Sequence, residues 1–262
     1  SLRSSAEQTA NSLDTFLLTT LNSIEIESQI SVFTEYLSLP ISQRITGRPE
    51  QFRAQGLLNK LSTKDEVNII SYALVDVEGN ILLDSAPQRA DKNESDEAYF
   101  PQVRFSTEPI ITEVVYDESG VTAITFANRV LGSNGSYLGI LRVKYDSSIL
   151  QSIVVDSSKT SANALVLLLD QVYIRLADSR NPSLIQKSVA PLTQVDYLLA
   201  IEARRFPDLP REELSTNFFE FEDALDNAVN EPFFRVDITP NIPGDDTIAI
   251  AAMKTRPWVV AY

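Results

Sequence analysis

The chain has 262 residues, 44% of them hydrophobic, and its 22 Lys and Arg against 36 Asp and Glu give a net charge of −14. This charge repels phosphate backbones and anionic headgroups, which argues against nucleic acid as a partner. Because the chain contains no Cys and no His, thiolate nucleophiles, imidazole bases, disulfides and zinc clusters are excluded, and we expect no metal and no cofactor.

The length suits two domains of about 100 to 130 residues better than one. No run of about 18 apolar residues that could span a membrane occurs, and no signal peptide is visible. The sequence starts without Met and inside a predicted helix. We therefore expect a piece excised from a larger protein.

The first predicted element is one long helix from Leu2 to Leu39. This stretch has no Pro or Gly, and its apolar residues recur near the helical period until Pro40 stops the pattern. About 36 helical residues would extend roughly 54 Å. Such a helix is either an amphipathic or coiled-coil element or a stalk that docks along two domains and continues into a membrane anchor. A second helix is predicted from Pro49 to Leu61.

A predicted hairpin follows, with strands ISYALVDV and NILLDS joined by a Glu78-Gly79-Asn80 turn. The same pattern returns 94 residues later, where residues 73–85 align with residues 167–179. The alignment matches four pairs of identical residues: Asp76 with Asp170, Leu82 with Leu176, Asp84 with Asp178, and Ser85 with Ser179. This similarity predicts a duplicated unit.

The elements after each hairpin repeat in the same order. In the first copy, a helix starting near Asp96 precedes the strands TEPIITEVVY, TAITFANRV and SYLGILRVKYD, and a short helix spans Ser147–Val155. In the second copy, helical segments over Pro191–Phe206 and Glu212–Val229 precede FFRVDI, DTIAIAAMK and PWVVAY. The two copies would join near Asp156–Ala162. Both therefore predict an antiparallel sheet flanked by helices.

Four features in this order resemble the double Cache family of PAS-like sensor domains. They are the aspartate-turn-strand hairpin, the aromatic pair Tyr99-Phe100, the Gly in YLGILRVKYD, and the closing strand with Trp258. The resemblance implies an α+β fold of two Cache units on a long shared N-terminal helix. Residues 1–62 would form the stalk helix and the second helix, 63–155 a membrane-distal, ligand-binding unit, and 156–262 a membrane-proximal unit.

The resemblance also implies a function, that of the extracytoplasmic, periplasmic sensor of a bacterial transmembrane receptor. A histidine kinase is the expected receptor, with a chemoreceptor or a membrane-bound cyclase as alternatives. The distal unit would bind a small solute and relay a conformational signal through flanking membrane helices, and the intact receptor could be a homodimer. An acidic secreted interaction protein without a small ligand is the alternative from another class.

Carboxylates are the remaining candidates for catalysis. Glu94, Asp96, Glu97, Asp117-Glu118 and Asp245-Asp246 lie in polar, turn-like surroundings and are interpreted as solvated loops or a helix start. The stretch Asp91–Asp96 lacks the spacing and the Gly of a calcium loop. We predict that the chain is not an enzyme. A hydrolase with paired carboxylates would need two of them to face each other in a cleft.

In Cache domains that bind amino acids, an Arg stands two residues before the aromatic pair and an Asp ends the fifth strand. The Arg binds the ligand carboxylate and the Asp its ammonium group. Matched in this way, Glu97 occupies the Arg position and Lys144 the Asp position, so both charges are inverted and the pair could be a structural salt bridge. A second alignment, with Tyr99 and Arg104 as the leading Tyr and Arg, leaves Ser106 and Thr107 where the aromatic residues belong.

We therefore expect a pocket for a small polar or anionic solute rather than the usual amino-acid site. It would lie beneath the loop from Asp84 to Ser95. The predicted ligand-binding residues are Asp84, Glu97, Tyr99, Arg104, Tyr116, Asp117, Thr125 and Lys144. The second unit has weaker pocket signals and is expected to transmit rather than bind.

Overall fold

The computed structural model describes residues 1–44, 47–90, 92–159, 164–228, 230–238 and 246–262. These residues form two compact units. The first unit contains residues 18–114 and 122–146, and the second contains residues 1–17, 115–121 and 147–262. Four of the predicted features fall partly outside the described residues. They are the acidic stretch Asp91–Asp96 at Asp91, the join of the two copies at Thr160–Ala162, the helical segment Glu212–Val229 at Val229, and the pair Asp245-Asp246 at Asp245.

The described helices alternate with strands along most of the chain. They are α1 (Leu2–Ser28), α2 (Ser31–Leu37), α3 (Pro49–Ser62), α4 (Tyr99–Phe105), α5 (Ser148–Ser158), α6 (Gln194–Glu202) and α7 (Phe219–Asn227). The helix predicted from Pro49 is confirmed, with Pro at its first turn, where its missing N–H leaves no helical hydrogen bond unmade. The predicted helix after Glu212 is shorter than expected, because a 3₁₀ turn at Arg211–Glu213 precedes α7.

The single long helix predicted to Leu39 is wrong in its C-terminal part. Helix α1 ends at Ser28, and α2 restarts after Ile30, which has an extended backbone with φ −65° and ψ 125°. The N–H groups of Gln29 and Ile30 close tight turns onto carbonyls three residues earlier, at 3.2 Å and 3.1 Å. No Pro or Gly marks this break, so the apolar period alone could not reveal it.

The first unit contains an antiparallel sheet. Its strands are β1 (Ile69–Val75), β2 (Ile81–Asp84), β3 (Ile110–Ile111), β5 (Thr122–Leu131) and β6 (Tyr137–Asp146), in the order β2-β1-β6-β5-β3. The short strand β4 (Val115–Tyr116) belongs to the second unit. The predicted strand TEPIITEVVY therefore forms two short strands instead of one. Helix α4 covers one sheet face, where Tyr99, Phe100 and Val103 pack with Ala73 and Ile140.

The second unit repeats this sheet. Its strands are β7 (Leu167–Leu169), β8 (Arg175–Asp178), β9 (Phe233–Val236), β10 (Asp246–Ala252) and β11 (Val259–Ala261). Their order is β8-β7-β11-β10-β9. With β4 left out and the five strands of each sheet numbered along the chain, both sheets have the order 2-1-5-4-3. Phe221 and Leu225 of α7 pack on this sheet. The predicted α+β fold with two antiparallel sheets is confirmed.

The residues shared by the two hairpins make the same hydrogen bonds. Asp76 Oδ1 accepts from the N–H groups of Glu78 and Asn80 at 3.0 Å and 2.8 Å. In the second copy, 94 residues later, Asp170 Oδ1 accepts from the backbone two and four residues on, both at 3.0 Å. Ser85 accepts from the N–H of Tyr72 in β1, and Ser179 from the N–H of Val166, the residue just before β7, both at 2.8 Å. The repeated residues are therefore the ones that close the turn and the edge of each hairpin.

We expect Asp76→Ala to lower the free energy of unfolding by about 1 to 3 kcal/mol, because two turn N–H groups lose their acceptor. Asp76→Asn, which retains a side-chain carbonyl, should lose clearly less. Urea denaturation of both variants measures the difference. Equal stability of Asp76→Ala and the wild type would contradict this role for the turn.

Candidate functional site

A cluster of buried polar side chains lies on one face of the first sheet. Alternation along β6 points Arg142 and Lys144 to the same face. The register places Ala73 opposite Arg142 and Ser71 opposite Lys144, while Asp84 lies opposite Ala73 on the next strand. Pairing of β1, β2 and β6 therefore brings two cations, one hydroxyl and one carboxylate together. We call this group, with Glu94 and Tyr99, the Arg142 cluster.

The carboxylate of Glu94 accepts hydrogen bonds from three side chains of the cluster. Arg142 donates from Nε to Oε2 at 2.9 Å and from Nη2 to Oε1 at 3.1 Å. Lys144 Nζ donates to Oε1 at 2.8 Å, and the Tyr99 hydroxyl donates to Oε2. A planar guanidinium fork of this kind matches a carboxylate in shape and charge. We call the four donors the carboxylate cradle.

The remaining donors of Arg142 are satisfied on its other side. Nη2 contacts Asp84 Oδ2 at 2.9 Å, and Nη1 donates to Ser71 Oγ at 2.6 Å. Asp84 Oδ1 in turn accepts from the Ala86 N–H at 2.7 Å. Arg142 is completely buried, with 0% of its surface exposed. The cluster thus combines two cations with two carboxylates, which balances the charge that the fold removes from water.

The backbone around Gly79 positions Glu94. The Glu94 N–H donates to the Gly79 carbonyl at 2.7 Å, and the Ile81 N–H donates to the Lys92 carbonyl at 2.8 Å. Gly79 has φ +92°, and a Cβ there would lie 2.7 Å from the Ser95 nitrogen. Only glycine therefore allows the loop to approach the hairpin this closely.

The charges of the cluster shift its pKa values in opposite directions. Burial raises the pKa of Glu94, but the charges and hydrogen bonds of Arg142 and Lys144 outweigh it and hold that pKa well below its ordinary value. Burial and the Glu94 charge raise the pKa of Tyr99. For Arg142, burial lowers the pKa, and Glu94 with Asp84 more than reverses that effect. At neutral pH, Glu94 is therefore an anion and Tyr99 a neutral hydroxyl donor.

Three of the eight predicted ligand-binding residues, Asp84, Tyr99 and Lys144, meet in the Arg142 cluster. Thr125 is buried opposite Lys144 in the register, and its N–H donates to Thr112 Oγ1 at 3.0 Å. Glu97 is half-buried, and its N–H donates to the Glu94 carbonyl at 3.0 Å.

The other three predicted residues lie elsewhere. Arg104 is exposed on α4. Tyr116 and Asp117 belong to the second unit. There the Tyr116 N–H donates to the Arg204 carbonyl at 2.7 Å, and Asp117 Oδ1 accepts from the N–H groups of Ser119 and Val121 at 2.8 Å and 3.1 Å.

The interpretation of Glu94 as a solvated loop carboxylate is wrong, because Glu94 is only 6% exposed. Sequence reasoning also missed Arg142 and Ser71. A signal for Arg142 was present: it alternates with Lys144 in the otherwise apolar strand GILRVKY, at the period that places both on one face. Lys144, which stands at the inverted Asp position, pairs with Glu94.

The solved structures that resemble this chain include sensor and ligand-binding domains of bacterial receptors. The sensor domain of the Vibrio cholerae histidine kinase DctB superposes with a TM-score of 0.77 at 13% identity, over 98% of this chain and 93% of that one. The ligand-binding domain of the Campylobacter jejuni chemoreceptor Tlp3, in complex with 4-methylisoleucine, superposes with a TM-score of 0.64 at 14% sequence identity. This match covers 99% of this chain and 87% of that one. The ligand-binding domain of the Pseudomonas fluorescens chemoreceptor CtaA, in complex with L-isoleucine, superposes with a TM-score of 0.62 at 16% sequence identity. This match covers 99% of this chain and 89% of that one.

The chain has the double Cache fold. No protein-family model and no curated protein sequence matches it. The resemblance read from the order of elements is thus confirmed at the level of three-dimensional structure. Within the described ranges of this double Cache fold, no helix is long and apolar enough to cross a membrane, and no group of three or more acidic side chains could hold a metal ion.

We expect Glu94→Gln to lower the free energy of unfolding at pH 7 by about 3 to 5 kcal/mol, because it leaves the buried cations undercompensated. The folded-state pKa of Glu94 lies below its ordinary value of 4.5, so the ionised carboxylate stabilises the fold above pH 4.5. This contribution is lost as the pH falls from there towards the folded-state pKa. The stability difference between wild type and Glu94→Gln should therefore shrink on acidification.

Urea denaturation at pH 7, 4.5 and 3.5 measures this difference. Glu108→Gln, an identical change at an exposed position, serves as the control and should alter stability by about 0.5 kcal/mol or less. A difference between wild type and Glu94→Gln that stays constant over this range would show that Glu94 is not held as an anion by the cluster.

Proposed function

We propose that the chain is the extracytoplasmic sensor domain of a bacterial membrane receptor, a histidine kinase or a chemoreceptor, and that its first unit binds a small acidic solute. The double Cache fold, which similar solved structures use for sensing, supports the sensor role. The carboxylate cradle supports the chemistry of the ligand. The cradle is a buried set of four hydrogen-bond donors directed at one carboxylate. It lies in the unit where the loop from Asp84 to Ser95 is predicted to cover a pocket.

In this proposal, Glu94 is a resident carboxylate that an incoming acid replaces. The ligand would take over the fork of Arg142, the ammonium of Lys144 and the hydroxyl of Tyr99. The hydrogen bonds of the cradle alone add little binding free energy, because the cradle makes them to Glu94 in the free protein and to the ligand in the complex. The rest of the ligand, or the release of Glu94 to water, must then supply the affinity, and this is where specificity would arise.

The acidity of the whole chain does not oppose such a ligand at the site. At physiological ionic strength, solvent-exposed charges separated by more than about 8 Å are largely screened from each other, and most of the acidic residues are on the surface. The nearest charges then decide, and those are the cations of the cradle, which lie 2.8 Å to 3.1 Å from the carboxylate oxygens they bind.

Transmission would use the second unit, where the N-terminal helix is hydrogen-bonded to the connection between the last two strands. Asp14 of α1 accepts from the backbone N–H of Lys254 at 2.9 Å and of Thr255 at 2.8 Å, and from the Thr255 hydroxyl at 2.5 Å. These bonds hold α1 to the connection between β10 and β11. A shift of the closing strand relative to α1 would therefore have to strain or break them.

The acid-binding proposal predicts that Glu94→Ala creates a vacant carboxylate site. Acetate should raise the melting temperature of Glu94→Ala, because it restores the missing anion to Arg142 and Lys144. Wild type and Glu94→Gln, in which a side chain still fills the place, should respond much less. Thermal shifts in sodium acetate against sodium chloride of equal ionic strength measure the effect.

A parallel screen of the wild type against small carboxylates, amines and amino acids tests the sensor role itself. Tyr99→Phe, which removes only one donor, should weaken the binding of an acid identified in the screen. Two results would overturn the acid site: equal melting of Glu94→Ala in acetate and chloride, or a screened ligand whose affinity is the same in Tyr99→Phe. In either case the Arg142 cluster would be a purely structural ion network.

A further inference from the structure

The second unit contains a cavity at the place that corresponds to the Arg142 cluster. The strand registers identify the equivalent residues of the two units. Ala73 lies opposite Arg142 in the first sheet. Leu167, which is equivalent to Ala73 in the repeat, lies opposite Ala261 in the second sheet. Ala261 therefore stands where the first unit has Arg142. The buried guanidinium of one copy is replaced by a single methyl group in the other.

Two further polar positions of the first unit are also apolar in the second. Ser71 corresponds to Leu165 by the same offset of 94 residues. Thr125 corresponds to Ile248, because Ala127 and Ile250 lie opposite Arg142 and Ala261 in their respective sheets. Of the equivalent positions on this sheet face, those of Arg142, Ser71 and Thr125 are therefore apolar in the second copy, while Asp84 corresponds to the buried Asp178.

The cavity measures about 150 Å³. Its apolar wall is formed by Leu165, Leu167, Ile238, Ile248 and Ala261. Most of these side chains also belong to the core that packs beneath α7, which gives the wall a fixed shape. The charged lining residues, Arg180 and Asp246, are of opposite sign. The lining therefore combines an apolar wall with one residue of each charge.

The size and polarity of the cavity together limit what it can bind. A space of about 150 Å³ has room for a molecule the size of benzene. Between Leu165, Ile248 and Ala261, a ligand carboxylate or ammonium group would lose its hydration against apolar side chains, which is unfavourable. Neutral molecules with an apolar body and at most one polar group suit the space.

We propose that the second unit binds a small uncharged, largely apolar molecule of about six heavy atoms between Leu165, Ile248 and Ala261. This site lies in the other unit and selects a different chemistry from the acid site of the first unit, so neither proposal depends on the other. The chain would then have two recognition sites built on one duplicated scaffold.

Phenol is a suitable probe, because it has a six-membered apolar ring and one hydroxyl group, and benzoate is its charged counterpart. Phenol should shift the methyl resonances of Ile248 and Ala261 in NMR spectra of the wild type and raise its melting temperature. Benzoate should leave the methyl resonances of Ile248 and Ala261 unshifted. Absence of phenol-induced shifts at Ile248 and Ala261 would overturn the proposal.

Ala261→Met fills the cavity and should weaken phenol binding roughly tenfold or more. Ala252→Met, the same change at an exposed position of β10, is the matched control and should bind phenol as the wild type does. If Ala261→Met does not give a cooperative melting transition, Ala261→Val is the smaller replacement with the same expected direction. Unchanged phenol affinity in the folded cavity-filling variant would contradict the site.

The acetate response of Glu94→Ala separates this proposal from the acid site. Introduced into the Glu94→Ala background, Ala261→Met should abolish the phenol response and leave the acetate response intact. Loss of both responses in this double variant would show that the two sites are not independent, which would overturn the proposal in this form.

Discussion

The first unit depends on the complete burial of one guanidinium group, that of Arg142. Removing an ion from water costs several kcal/mol even after the protein relaxes, and here four ionised side chains are buried together. The cost is offset only because every partner is in place at once. Two strands supply Ser71 and Asp84, β6 supplies Lys144, and a loop supplies Glu94. Sheet register and loop conformation are therefore mutually dependent.

The duplicated architecture shows which parts of this arrangement the fold requires. Both copies keep the aspartate that closes the hairpin turn and the serine that accepts a backbone N–H from the neighbouring chain segment, with hydrogen bonds of 2.8 Å to 3.0 Å. Arg142 and Ser71 of the charge network are replaced by apolar side chains in the second copy, while Asp84 is matched by Asp178. The hairpin bonds are thus part of the scaffold, while the centre of the sheet face is free to vary. A position that varies so strongly between two copies of one scaffold is where a difference in recognition is expected.

Most of the fold could be predicted from the sequence, because local patterns carry it. Alternation identified the strands, the Glu78-Gly79-Asn80 turn identified the first hairpin, and the repeat identified the second. The break after Ser28 could not be predicted, since neither Pro nor Gly marks it. The burial of Glu94 could not be predicted either. It depends on Arg142, which lies 48 residues away in the sequence, and on a backbone approach that only Gly79 permits.

The position of Glu94 in the chain links occupancy of the cradle to the order of its surroundings. Its backbone carbonyl accepts from the Glu97 N–H, and the Phe100 N–H follows with a bond to the Glu97 carbonyl, so Glu94 leads directly into α4. Its side chain accepts from Tyr99, the first residue of that helix. A ligand that displaced the carboxylate would therefore remove a hydrogen bond from the start of α4 and free the loop that Gly79 holds. Because a ligand signals only through a difference in affinity for two arrangements, this local coupling is the physical means by which replacing one carboxylate with another could still produce a conformational change.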